Sequence, residues 1–237
     1  MTIHLAGDST VAPTDEGRTS GHPEIPLLGW GDELAAFTDD VVRNHAIGGA
    51  TTASFRAEGR WDALLDELRP GDTVVIQFGH NDQKEPAELA AEGGYTDRLA
   101  RFVAEARANV ARPVLATSVE RRLFADEDDG GVLRWSHGPY PAAVRVLGHD
   151  LDVPVLDLTV FTRWLYGWLG RDASAALFPH GAAAQAGLPV DDGLAKDNTH
   201  FTTAGARAVA RYVAEALASL DGVHDAEAPL GAWVMQP

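Results

Sequence analysis

Thr2-Ile3-His4-Leu5-Ala6-Gly7-Asp8-Ser9-Thr10 begins as a short apolar run and ends in a polar turn led by glycine. A run of this length, stopped by a turn signal, reads as a buried strand, here Thr2–Ala6. Similar runs recur at Val41–Ile47, Thr73–Phe78, Val114–Ser118 and Val153–Leu156. Longer segments at helical spacing separate them, which is the pattern of a parallel sheet covered by helices. Tyr95, Leu99, Phe102, Val103, Ala106 and Val110 fall on one face of such a helix. Ala206, Val209, Ala210, Val213, Leu217 and Leu220 repeat the pattern near the end, with Thr202 or Thr203 as the N-cap. The fold class expected is α/β.

The 237 residues are enough for one large core, and no linker or repeat divides them, so residues 1–237 are expected to form a single domain. The acidic, glycine-rich stretch Asp126–Gly131 and the segment Pro179–Asp197 lack periodicity and read as surface loops. The last residues, Asp225–Pro237, read as a tail packing through Leu230 and Trp233. A net charge of −16 disfavours nucleic acid and anionic lipid as partners. The absence of cysteine excludes disulfides, thiolate metal sites and a cysteine nucleophile. No stretch approaches the roughly 20 apolar residues of a membrane span. No basic segment followed by an apolar one marks an export signal, so a cytoplasmic location is expected. Nothing in the sequence assigns an oligomeric state.

Open parallel sheets gather functional groups at the carboxyl ends of their strands. The first strand runs into Gly7-Asp8-Ser9-Thr10, the second into Gly48-Gly49, and the third into Gly79-His80-Asn81-Asp82; Asp197-Asn198-Thr199-His200 precedes the last helix. Together they supply the parts of a hydrolase. A serine hydroxyl needs a base within reach, and that base needs an orienting group. Ser9, His200 and Asp197 answer to these roles, since a three-residue separation lets the carboxylate reach Nδ1 and leaves Nε2 for the serine. Gly49 through its backbone N–H, Asn81 through its amide and the Ser9 backbone N–H can stabilise the negative charge of a tetrahedral intermediate.

These four blocks resemble those of the SGNH hydrolases, with Ser9, Gly49, Asn81 and His200 as the named quartet. Within that superfamily the chain is similar to rhamnogalacturonan acetylesterases, through Gly29-Trp30-Gly31, Gly59-Arg60-Trp61 and the run from Pro70-Gly71-Asp72 to Gln77-Phe78-Gly79-His80-Asn81-Asp82-Gln83. The likeness extends over nearly the whole chain. It implies a three-layer α/β/α sandwich of flavodoxin-like type with a five-stranded parallel sheet, no metal or cofactor, and removal of acetyl groups from pectin-derived oligosaccharides through an acetyl-enzyme. One block departs from the pattern: Ala50-Thr51 stands where those esterases carry Arg-Ser after the glycine, and with the arginine goes a contact to an acidic sugar or a structural ion pair.

Each reading has a plainer rival. Gly7-Asp8-Ser9 alone is no more than a helix-cap sequence, and only the other blocks raise it. Asp197 with His200 is also half of a metal site, but no third ligand stands near, and His22, His45 and His137 are scattered. Asp8 and Asp82 read as loop and helix-terminus anchors. His80 is left between substrate and loop backbone, and Trp30 and Trp61 between a sugar platform and the core. Two rival functions stay open: the same machinery on another ester, as a lipase or thioesterase, and a sugar-binding protein with an idle triad.

Overall fold

The computed structural model describes residues 1–14, 20–126 and 131–222. Five strands, β1 (Thr2–Gly7), β2 (Val41–Asn44), β3 (Thr73–Gln77), β4 (Arg112–Ala116) and β5 (Val155–Leu156), form one sheet in the order β2-β1-β3-β4-β5. Every pair is parallel. Between and after them run α1 (Thr52–Ala57), α2 (Arg60–Glu67), α3 (Thr96–Ala108), α4 (Tyr140–Leu151), α5 (Leu158–Ala175), α6 (Pro179–Gln185), α7 (Asp192–Ala195) and α8 (Thr203–Gly222). Side chains alternate across the sheet. Ile3, Leu5, Val75, Val114 and Leu156 pack on one face against Leu158 and Tyr166 of α5 and Val209, Val213 and Leu217 of α8. Ala6, Val74, Ile76 and Leu115 pack on the other against Trp61 and Leu64 of α2, Phe102 and Val103 of α3, and Val144 of α4. The three-layer sandwich is therefore present.

Strand edges moved where side chains intervene. β2 ends three residues earlier than expected, because Asn44 turns its amide to the Val11 carbonyl at 2.8 Å and accepts from the Ala46 amide at 3.2 Å. β4 starts at Arg112, two residues earlier than expected, with Pro113 inside it. A proline is tolerated there because the amides of Arg112 and Leu115 show the alternation: Arg112 donates towards β3 and Leu115 towards β5, so the missing Pro113 donor lies on the β5 side, before β5 begins. β5 keeps only Val155 and Leu156 of the expected Val153–Leu156.

The helix expected to end at Val110 stops at Ala108; Val110 has φ 57° and is 66% exposed, so it lies off the apolar face it was assigned to. In α8 the apolar face is as expected, and Thr202 is the cap, its hydroxyl accepting from the Gly205 amide at 3.3 Å. Pro179–Asp197 is a correction: it contains α6 and α7 rather than loop alone. Pro179 opens α6 at a first-turn position, where its lost N–H has no helical partner anyway. The α6 residues that face inward are Pro179, Gly181 and Ala183, too small to leave an apolar periodicity in the sequence. Residues 127–130 of the acidic loop, and the tail with Leu230 and Trp233, lie outside the described residues.

Candidate active site

Ser9 lies just past the carboxyl end of β1, the strand that sits between β2 and β3. The turn that carries it is anchored from below by polar groups buried completely. Asp8 Oδ1 accepts from the Thr10 amide and the Thr10 hydroxyl, both at 2.9 Å. Thr10 Oγ1 in turn accepts from Gln77 Nε2 at 2.6 Å, and Gln77 Oε1 accepts from Trp30 Nε1 at 2.8 Å. Asp8, Thr10, Gln77 and Trp30 are all 0% exposed. Every donor in this row points one way, from Trp30 to Asp8, so no member is left half-satisfied except the second oxygen of Asp8. Burial pushes the Asp8 carboxyl up to about 6, against the hydrogen bonds from Thr10 that favour its anion, and the charge of Asp82 adds to the rise.

His200 reaches the serine from the segment before α8. Its Nε2 lies 3.0 Å from Ser9 Oγ, and its Nδ1 lies 2.8 Å from Asp197 Oδ2. Asp197 Oδ1 accepts the amides of Thr199 and His200, each at 3.0 Å. Burial raises the Asp197 carboxyl, but the His200 ring and these two amides outweigh it and hold the group below its ordinary value. An ionised carboxylate on Nδ1 keeps the proton there and leaves Nε2 as the acceptor facing the hydroxyl. A shared strut fixes the distance between the two turns. Leu28 and Phe201 exchange backbone hydrogen bonds at 2.9 and 3.0 Å, and the Trp30 amide donates to the Thr10 carbonyl at 2.8 Å. The segment Leu28–Trp30 thus touches the histidine turn at one end and the serine turn at the other. Gly29 is needed for this approach, since a Cβ there would stand 2.5 Å from the Val11 carbonyl carbon.

Gly49 and Asn81 follow β2 and β3, the two neighbours of β1, so the turns that carry them flank Ser9. Gly49 has φ 80°, a conformation that glycine adopts without strain. Asn81 Nδ2 donates to the Ala50 carbonyl at 3.0 Å and Asn81 Oδ1 accepts from Lys84 Nζ at 2.8 Å. These bonds orient the amide and use one of its two hydrogens, leaving the other for a ligand. Asp82 clamps the same two turns together. Its Oδ1 accepts from the Thr52 amide and hydroxyl at 2.8 and 2.7 Å, and its Oδ2 from the Gly79 amide at 3.1 Å. A serine, a histidine hydrogen-bonded to it and to an aspartate, and flanking N–H groups form an arrangement that suits acyl transfer.

Several residues found places other than the sequence assigned or left open. Trp30 and Trp61 are both 0% exposed and belong to the core, not to a sugar platform. His80 is buried behind the serine turn, its Nδ1 3.7 Å from Asp8 Oδ2, and it packs edge-on against the His137 ring. Asp8 and Asp82 hold loops, as their types suggested. Ala50, where the sequence departs from Arg-Ser, is buried at 3% exposure on the face packed by α2 and α3, and Thr51 keeps the capping role of a serine by accepting from the Ser54 amide. The turn Gly48–Thr51 lines a cavity of about 410 Å³ whose border includes Glu58 and Glu85. The Trp30–Gln77–Thr10 row escaped sequence reading. Its one signal was Gln77, a polar residue inside the apolar run Val74–Phe78.

The chain is 41% identical over 221 residues to the rhamnogalacturonan acetylesterase RhgT of Bacillus subtilis (strain 168), covering 92% of this chain and 90% of that protein. It is 30% identical to the probable rhamnogalacturonan acetylesterase YesY of the same organism, over 92% of this chain and 93% of that one. Among solved structures, the Bacillus subtilis protein YxiM superposes with a TM-score of 0.73 at 27% identity, covering 93% of this chain and 56% of that chain. The fold is also that of a catalytic mutant of Axe2, an acetylxylan esterase from Geobacillus stearothermophilus, with a TM-score of 0.57 at 17% identity over 90% of this chain and 92% of that one. Residues 5–208 match the model of the GDSL-like lipase/acylhydrolase family, and the chain belongs to that family.

Proposed function

We propose that this enzyme is a carboxylic ester hydrolase that removes acetyl groups from carbohydrate, with acetylated rhamnogalacturonan oligosaccharides as its substrates. The observation that carries the reading is the continuous relay from Asp197 Oδ2 through His200 to Ser9 Oγ, at 2.8 and 3.0 Å. The relatives named as rhamnogalacturonan acetylesterases, aligned along nine-tenths of the chain, support the substrate class.

In the proposed reaction Ser9 Oγ bonds to the acetyl carbonyl carbon while its proton passes to His200 Nε2. Asp197 steadies the imidazolium that results. The carbonyl oxygen, now negative, takes hydrogen bonds from the Gly49 and Ser9 backbone N–H groups and the spare Asn81 hydrogen. The bond to the sugar oxygen breaks, and His200 returns the proton to that oxygen. Water, deprotonated by the same histidine, then releases acetate and restores Ser9. No step requires a cofactor. Glu58 and Glu85 on the cavity beside Gly49 repel a carboxylate, so a neutral part of the sugar faces that wall. This reading takes residues 1–237 as one domain and places the enzyme in the cytoplasm, acting on imported oligosaccharides; a chain without cysteine needs no oxidising compartment. Recovery of the mature protein outside the cell would overturn that placement. Among the described residues no helix is long and apolar enough to cross a membrane.

The test is acetate release from acetylated rhamnogalacturonan fragments, acetylated xylo-oligosaccharides and p-nitrophenyl esters of rising chain length. The expected order of kcat/KM puts acetyl above longer acyl groups and rhamnogalacturonan above xylan fragments. A preference for long chains would instead identify a lipase or thioesterase. Turnover of p-nitrophenyl acetate that disappears in His200→Ala excludes an idle, sugar-binding triad. Labelling by a serine-directed phosphonate at any residue but Ser9 would remove it as the nucleophile.

A further inference from the structure

Away from the candidate active site, three side chains that are distant in sequence converge. His4 stands in the middle of β1, His45 directly follows β2, and Glu67 is the last residue of α2. A ring nitrogen of each histidine and a carboxylate oxygen of Glu67 all lie within 4.8 Å of one another. The two nearest nitrogens, His4 Nδ1 and His45 Nε2, are 3.1 Å apart. On the other side of the His4 ring, Nε2 lies 3.5 Å from Asp72 Oδ2. A proton on Nε2 faces that carboxylate and leaves the Nδ1 lone pair directed at His45.

We propose that His4, His45 and Glu67 form a binding site for a divalent transition metal of the zinc class, with Asp72 orienting His4 from behind. Two imidazole nitrogens bound to one zinc at ~2.0–2.1 Å and a tetrahedral angle stand about 3.3 Å apart. The observed 3.1 Å is close to that separation. The carboxylate behind a ligating imidazole is the arrangement that fixes ring orientation and tautomer at metal sites, and Asp72 supplies it. Asp72 is itself fixed, by the Thr2 and Arg69 amides at 2.9 Å each.

One further feature favours a cation here. Glu67 places a negative charge at the carbonyl end of α2, where the helix dipole disfavours it and a bound cation offsets both. Glu67 is exposed and His45 half-buried, so the carboxylate can swing onto an ion that arrives from solvent, with water completing the coordination.

His4 precedes Ser9 by five positions on the same run of chain, roughly 16 Å at the rise of a strand. The metal would take no part in acyl transfer. It would join the strand that leads into Ser9 to the exit of edge strand β2 and the end of α2.

The test uses the full-length protein, stripped with a chelator and titrated with Zn²⁺ by calorimetry and with Co²⁺ by visible absorbance. One equivalent of each metal is expected to bind with a Kd on the order of micromolar, Co²⁺ giving the intense bands of a four-coordinate site, and Zn²⁺ should raise Tm. His45→Ala and Glu67→Gln should each weaken binding at least tenfold, and Asp72→Asn by about 10–100-fold, the usual effect of losing a partner behind a ligand. Turnover of p-nitrophenyl acetate should be the same with and without metal. Glu67→Gln carries the test if a histidine variant folds poorly, because its side chain is exposed. Binding weaker than millimolar, or equal binding by the wild type and these variants, would overturn the site.

Discussion

The serine turn and the histidine turn present opposite solutions to placing a reactive side chain. Gly7–Thr10 rests on a fully buried polar row that reaches Trp30 through Gln77. Asp197–His200 lies at the surface edge of the site, with the His200 and Asp197 side chains 25% and 17% exposed, and is held by its own backbone amides and by bonds from the Arg122 amide to the Asn198 carbonyl and from His180 to the Asp197 carbonyl. Both turns contain an aspartate, yet their environments drive the two carboxyls apart. Asp197 receives hydrogen bonds from a ring and two amides and is held low. Asp8 is cut off from water and is pushed up to about 6. One aspartate is held in its charged form against the His200 ring, the other holds backbone beneath Ser9.

The largest effect that would break this contrast is on the relay itself. Ser9→Ala or His200→Ala should each reduce kcat by about 10⁶-fold with the fold intact, and the double variant should be no slower than either, since members of one triad act as a unit. Additive losses in a pre-steady-state comparison would show that the two do not share a step. Asp197→Asn should follow at about 10⁴-fold, because the amide no longer holds the proton on Nδ1. Asp8→Asn, the matching change in the other turn, should cost far less in kcat; a loss as large as that of Asp197→Asn would erase the distinction.

Asn81→Ala should lower kcat by about 10²–10³, the worth of a single oxyanion donor, with unchanged Tm marking the effect as chemical. The smallest effect is on the pH dependence of stability. The folded Asp8 pKa lies above its unfolded value of 3.8, so its contribution is complete below about pH 4 and is lost as pH rises through about 6. That loss amounts to about 3 kcal/mol for a shift of this size. The difference in stability between wild type and Asp8→Asn, followed by denaturant titrations, should therefore change between about pH 4 and 6, the wild type losing ground to the variant as pH rises. Parallel curves would place the Asp8 proton elsewhere.

Much of the site was legible because its chemistry is written in local blocks. Ser9, His200 and Asp197 were readable from residue type and from position after apolar runs, and the structure brings these three within hydrogen-bond distance. Helix edges such as Val110 and the short helix at Pro179–Gln185 were not, since a β-branched residue at positive φ and a helix built on small inward residues leave no periodic signal. Trp30 and Trp61 show the same limit. An aromatic residue suits a sugar face and a core alike, and only packing decides between them.

By itself the sequence determined the α/β alternation, the strand-end location of the reactive groups and the kind of chemistry they suit, because these depend on local periodicity and residue type. The tertiary structure alone decided that Leu28–Trp30 bridges the serine and histidine turns, that Asp82 clamps the turns of Gly49 and Asn81, and that His4 meets His45. Most of those contacts join residues tens of positions apart, and the order β2-β1-β3, which brings the turns after these strands together, depends on how the whole sheet buries its two faces.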